Sequence, residues 1–216
     1  MQIALDAQLI HTGGGYRSAG VSAYSLNLLR ALGAARLAGA TRHCFTAYVN
    51  ALGLDLPGVK LVESRLPLAH PSARIAWEQT LLPIVLGRAD MVHGLVNVLP
   101  LAARTPAVVT VHDLAFLRTP DALPRARRAY LGALCRASVS RAAHVIAVST
   151  QTADDLRTLF NTPARKITVV PNGVGAEFAP GTDEAVASFR AARALPARYL
   201  LFLGTLEPRK NLEVLV

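Results

Sequence analysis

The sequence is poor in cysteine, lysine and acid. Cys44 and Cys135 are the only cysteines among 216 residues; far apart and in no C-x-x-C pair, they read as buried thiols of a reducing cytoplasm. Lysine is confined to Lys60, Lys166 and Lys210, so the 23 Lys+Arg are nearly all arginine, against 14 Asp+Glu, for a net charge of +9. Such a balance suits anionic partners such as nucleic acid, acidic lipid or a phosphorylated substrate, and it equally fits an alanine- and arginine-rich composition of the source. No uninterrupted apolar run reaches the roughly 20 residues of a membrane span, because Arg88 and Asp90 break the longest candidate. The opening MQIALDA has no basic region ahead of an apolar segment, so it does not read as a signal peptide. What is present is 52% hydrophobic residues with 17% charged, the balance of a packed globular protein and not of a disordered one.

Apolar periodicity alternates between two kinds of segment. QIALDA, HCFTAYV, VKLVES, DMVHG, AVVTVHD, HVIAVS and KITVVP are short runs suited to strands, whereas VSAYSLNLLRALGAARLA, SARIAWEQTLLPIVLGR, DALPRARRAYLGALCRASVSR and STQTADDLRTLF have helical spacing and length. The alternation predicts an α/β fold: a Rossmann-like parallel sheet with helices on both faces. Ser149 is placed to cap the helix after HVIAV, with Asp154 and Asp155 in its early turns complementing the dipole. After Pro171 the segment PNGVGAEFAPGTD reads as a linker. A helix, AVASFRAARAL, and a strand, RYLLFLG, are expected beyond it, ending in TLEPRKNLEVLV. Two domains follow, 1–172 and 173–216, the second an incomplete start.

Ligands of open parallel sheets bind outside the carboxyl ends of the strands, and three polar clusters fall there. The first is the glycine loop HTGGGYRSAGVSAY at 11–24. It is not a dinucleotide fingerprint, because from Gly13 and Gly15 the third glycine position is Ser18. Nor is it a P-loop, because after Gly15 and Gly20 the lysine position holds Val21. Two readings remain: a backbone cradle for a phosphate, or a turn whose glycines only permit positive φ. The second cluster is His112-Asp113. Adjacent strand residues point to opposite faces and no third ligand accompanies them, which argues against a metal pair and leaves a hydrogen-bonding histidine near a reacting centre or one satisfied in a loop. His93, also at a strand end, reads as structural or substrate-lining. The third cluster is Glu207 to Asn211, where Arg209 and Lys210 open a helix and could face an anion or lie in a solvated basic turn.

GVSAYSLNLLRAL at 20–32, ARIAWEQTLLP at 73–83, DMVHGLVNVLPL at 90–101, VVTVHDL at 108–114, VSTQTADDL, VVPNGV and LLFLGTLEPRKNLEVLV occur in that order. Together they resemble the family 4 glycosyltransferases of the GT-B fold. The resemblance implies retaining transfer of a hexose from a nucleotide sugar to an acceptor hydroxyl, with no cofactor. GDP-mannose is the implied donor, by the likeness of GTLEPRKN to mannosyltransferase members, and a glycan or lipid-linked molecule is the implied acceptor, not a nucleic acid. By position, Gly20 would help bind the donor diphosphate, His112 would sit against the donor sugar, Arg209 and Lys210 would hold the departing diphosphate, and Asp113 would position. Fixed cations and helix N–H groups would stabilise leaving-group charge without a metal.

Thr205 departs from members that carry an arginine after the glycine of that strand. The family's C-terminal donor domain with its two-glutamate motif is not found up to Val216, so the chain alone is expected to be inactive. The alternative is a non-catalytic Rossmann-like module that docks on an anionic membrane or a partner chain. A cytoplasmic location is expected, with weak peripheral membrane association through PRARRAYLGALCRASVSRAAH, where Arg125, Arg127, Arg128, Arg136 and Arg141 alternate with Ala and Leu. The competing reading of that segment is a helix covering the sheet with a solvated basic face.

Overall fold

A computed structural model describes residues 1–13, 18, 20–51, 53–64, 66, 68, 70–119, 124–175, 178–204 and 210–215. The chain divides into two compact units, Met1–Pro171 and Asn172–Val216. The first is an α/β unit built on one seven-stranded sheet: β1 (Gln2–Ala7), β2 (Cys44–Val49), β3 (Val59–Glu63), β4 (Met91–Gly94), β5 (Ala107–Val111), β6 (His144–Ala147) and β7 (Ile167–Val169). All neighbours pair parallel, in the order β3-β2-β1-β4-β5-β6-β7. The order reverses between β1 and β4, the position at which doubly wound sheets open a ligand crevice.

Side chains alternate across the sheet, and each face is covered. Ile3, Leu5 and Ala7 of β1 enter one core with Phe45, Ala47, Val49 and Leu29, the last from helix α1 (Val21–Leu37). Ala4 enters the other, with Val92, Val109, Val111, Val145 and Ala147 of the sheet. That second core is closed by Leu82, by Cys135 and Val139 of the helix Arg125–Arg141 and by Leu156 of the helix Thr150–Phe160. Burial in it pushes the Cys135 thiol up to about 12. Helix α1 approaches the chain before β3 so closely that a side chain on Gly33 would collide with the Pro57 carbonyl.

Proline sets two helix boundaries that periodicity blurs. The segment 72–88 has the spacing of one helix but forms α2 (Pro71–Thr80) and the single turn α3 (Leu82–Val85), because Pro83 has no N–H to donate and its ring obstructs the preceding turn. After α4 (Ala115–Arg118), α5 (Arg125–Arg141) begins behind Pro124, whose ψ of 138° is extended; 120–123 lie outside the described residues. In α6 (Thr150–Phe160) the Ser149 hydroxyl accepts the Thr152 N–H at 3.1 Å, as a cap should. Asp154 and Asp155 do not serve the first turn. Asp154 pairs with Arg157 at 3.3 Å, and the buried Asp155 takes Arg118 of α4 at 2.5 Å: one turn into the helix, a nearby cation outweighs the dipole.

In the second unit, α7 (Asp183–Ala192) is capped by Thr182, which accepts the Ala185 N–H at 3.2 Å. RYLLFLG forms no strand: Leu200 and Leu201 are 80% exposed and Leu203 95%. Among the described residues of that unit there is no strand to accept its ladder hydrogen bonds, and an apolar run without a partner has no ladder to join.

Candidate functional site

The crevice end of the sheet is built from the loop after β1, the head of α1, the loop after β4 and the end of β5. Gly20 caps α1 at φ 59°, ψ −118°, a conformation that favours glycine. Its carbonyl accepts the Tyr24 N–H at 2.9 Å, and the amides of the first turn of α1 lie at the positive end of the helix dipole. The Ser22 hydroxyl, buried, accepts the His11 N–H at 2.9 Å and ties the loop to the helix. Gly14 to Arg17 and Ala19, the remainder of the glycine loop, lie outside the described residues.

His112 follows directly on β5 and is held from three sides. Its Nε2–H donates to the Leu95 carbonyl at 3.0 Å, its backbone N–H donates to Asn97 Oδ1 at 2.9 Å, and its carbonyl accepts the Thr152 hydroxyl of α6 at 3.0 Å. Asn97 itself sits at φ 58° and donates its N–H to the Thr110 carbonyl at 2.8 Å. A carbonyl partner assigns the proton to Nε2, which leaves Nδ1 as an acceptor. Burial lowers the His112 pKa, opposed by the Leu95 hydrogen bond and the Asp113 charge, so the ring is neutral at pH 7. Asp113 is exposed, and its Oδ1 accepts the Ala115 N–H at 3.0 Å at the start of α4.

Tyr24 joins the two clusters. One turn past Gly20, its ring meets His112 edge to face, with centroids 4.6 Å apart and an interplanar angle of 85°. Its hydroxyl lies 3.3 Å from Thr110 Oγ1, which in turn lies 2.8 Å from His93 Nε2. His93 is buried and its pKa is lowered to about 4 by desolvation, the state of a structural histidine.

Residues 18–178, most of the chain, match Glycosyltransferase Family 4. The chain belongs to that family. O-antigen chain mannosyltransferase B of Escherichia coli is 28% identical over 111 residues, which are 51% of this chain and 29% of that protein. The Anabaena protein Alr3699/HepE, solved in complex with UDP and glucose, superposes at a TM-score of 0.63 with 16% identity, covering 100% of this chain and 56% of that one. Its complex with UDP-glucose gives 0.56 at 16% identity, covering 92% and 51%. At that identity the likeness is one of fold. This family 4 chain spans about half the length of those solved chains.

The structure thus brings Gly20 and His112 together through Tyr24, with Asp113 beside them. Arg209 lies outside the described residues, and Lys210 is exposed in the second unit. The helix expected from Arg209 and Lys210 is, among the described residues, a 3₁₀ turn at Leu212–Leu215. No group of three metal-binding side chains occurs among the described residues, and no described helix is long and apolar enough to cross a membrane. Two arginines of the basic stripe of α5 are engaged within the fold: Arg136 lies over the Phe160 ring and bonds the Leu159 carbonyl, and Arg141 bonds the Ala103 and Thr105 carbonyls. Tyr24, Leu95, Asn97 and Thr110 are the site residues that sequence reasoning did not single out. The available signal was Tyr24's place one helical turn after a capping glycine.

Proposed function

We propose that the protein is a retaining hexosyltransferase that moves mannose from GDP-mannose to a hydroxyl of a glycan or lipid-linked acceptor. The observation that carries the reading is the neutral His112 ring packed against Tyr24, one turn from the Gly20 head of α1, at the carboxyl end of the sheet. In this reading residues 1–172 are the acceptor-side domain and 173–216 belong to the donor domain. The donor diphosphate faces the first-turn amides of α1, whose partial positive charge suits it. As the anomeric C–O bond breaks, its electron pair goes to the diphosphate, and those amides stabilise the growing charge. The acceptor oxygen bonds the same carbon on the same face and gives up its proton to the departing phosphate. His112 Nδ1 accepts a hydrogen bond from a donor-sugar hydroxyl, and Asp113 keeps the β5–α4 turn in shape.

Mannose follows the E. coli relative, a named mannosyltransferase; UDP-glucose is the second donor to assay, since HepE was solved with it. Membrane association through the exposed arginines of α5 is no part of the proposal. Mass spectrometry of acceptor glycans incubated with each donor and an enzyme in which this sequence is paired with a family 4 donor domain tests the reading. Hexose added from GDP-mannose supports it, transfer only from UDP-glucose overturns the mannose assignment, and no transfer from any nucleotide sugar overturns the function. His112→Ala should cut turnover roughly 100-fold, the scale of one lost transition-state contact, with the fold unchanged by circular dichroism.

A further inference from the structure

We infer that Tyr24 is a positioning residue for His112: its ring, anchored by the hydroxyl on Thr110, keeps the imidazole oriented so that Nε2–H stays on the Leu95 carbonyl and Nδ1 is presented to a ligand. The inference rests on the donor-sugar role proposed for His112 and adds to it the group that sets the ring. Three contacts reach His112 through its backbone or through Nε2: Asn97, Thr152 and Leu95. A single hydrogen bond from Nε2 leaves the imidazole free to tilt about that bond, and a flip about χ2 would exchange the ring's nitrogen and carbon positions. The Tyr24 ring, perpendicular to the imidazole at 4.6 Å, occupies the space that tilt would need.

Tyr24 is in turn tethered at both ends. Its backbone belongs to the second turn of α1, and its hydroxyl reaches Thr110 Oγ1 at 3.3 Å, which also holds His93 Nε2 at 2.8 Å. Thr110 is fully buried in β5. The phenol therefore links the helix that carries Gly20 to the strand that carries His112, and displacement of the helix head would be felt at the imidazole. The titratable groups facing this arrangement are Asp113 on the same segment, Tyr24 from α1 and, behind Thr110, His93 from β4; the Leu95–Asn97 loop and Thr152 of α6 bring no charge to it.

Long-range 1H–15N spectra of the chain, labelled with 15N-histidine and without any donor, read the tautomer and titration of His112 directly. The unaltered chain should show the Nε2–H form, with ring-proton NOEs between Tyr24 and His112. Tyr24→Leu should give a mixture of tautomers and move the titration back toward the ordinary histidine range, while Tyr24→Phe, which keeps the ring, should retain most of the Nε2–H form. Leu29→Ala weakens the same helix without touching His112 and should leave the signature as it was. The inference is overturned if Tyr24→Leu keeps the parental tautomer and titration, or if Leu29→Ala shifts them as far. Should Tyr24→Leu fail to fold, absence of the ring-proton NOEs in the unaltered chain overturns it, and their presence together with the retained Tyr24→Phe signature supports it. Because no sugar or activity enters the measurement, its failure is separate from failure of the transferase reading.

Discussion

Residues 107–111, AVVTV, and residues 199–204, YLLFLG, are both short apolar runs with strand composition, and they end in opposite states. The first is β5, paired to β4 on one side and β6 on the other, with Val109, Thr110 and Val111 completely buried. The second leaves Leu200, Leu201 and Leu203 open to solvent. What separates them is neighbours: a strand exists by its ladder and by the side chains above and below it. The whole first unit is organised that way, whereas α7 of the second unit has no buried residue and is held by its cap and local bonds. The candidate site belongs to the well-supported region, and its precision comes from that support.

The largest test of this contrast is a pair of leucine truncations. Leu114→Ala, at a residue 1% exposed beside the site, should cost about 2–5 kcal/mol in urea unfolding, whereas Leu203→Ala should change it by less than about 0.5 kcal/mol. Equal losses would mean that the two regions are packed alike. A second test uses the ability of the packed region to keep an imidazole uncharged. His93 has a folded pKa lowered to about 4 from 6.5, so between those values the unfolded chain takes up a proton that the folded chain refuses. Its contribution is complete above pH 6.5 and is lost as pH falls toward 4, on the order of 3 kcal/mol in all. The shift of His112 acts in the same sense. Asp6 and Glu78, raised by burial, act in the opposite one, stabilising at low pH and losing that contribution as pH rises through their folded values. The difference in stability between the parent and His93→Gln isolates the histidine. It should shrink on acidification from pH 7.5, and a pH-independent difference would contradict the burial of His93.

The smallest effects come from two caps of the same geometry. Ser149→Ala removes the hydroxyl at the head of α6, which packs through Leu156, and should lower global stability by about 1 kcal/mol. Thr182→Ala makes the same change at α7 and should leave the main unfolding transition in place while speeding amide exchange within that helix. A shift of the main transition by Thr182→Ala would show that the second unit is integrated with the first.

The seven strands of the first unit were legible because short β-branched and apolar runs recur between helical spacings, and Ser149 was legible because capping chemistry is local. Pro83 was visible too, yet periodicity carried the helical reading across it. RYLLFLG shows the limit: its composition says strand, and pairing, which lies outside the segment, decides otherwise. The same holds for the site. His112 and Gly20 stand out as residues at a strand end and a helix head. The Leu95 carbonyl, Asn97 at positive φ and the Tyr24 ring act on His112 across 17, 15 and 88 positions of chain, contacts for which no local pattern exists. Asp155 likewise looks like a dipole partner until Arg118, 37 residues away, is brought against it.

The central claim is that a nucleotide sugar binds at the carboxyl end of the sheet, between Gly20 and His112. A second concavity, a groove of about 510 Å³ lined by Gln2, Thr46, Tyr48, Lys60 and Arg88 among others, lies over β1 to β3 on the side of α3 and offers two cations of its own. Titration of the 15N-labelled chain with GDP-mannose, followed by amide shifts, chooses between them. The account predicts perturbations at Gly20, Ser22, Tyr24, Asn97 and His112, with Thr46, Lys60 and Arg88 unmoved. Shifts confined to Thr46, Lys60 and Arg88 would contradict it.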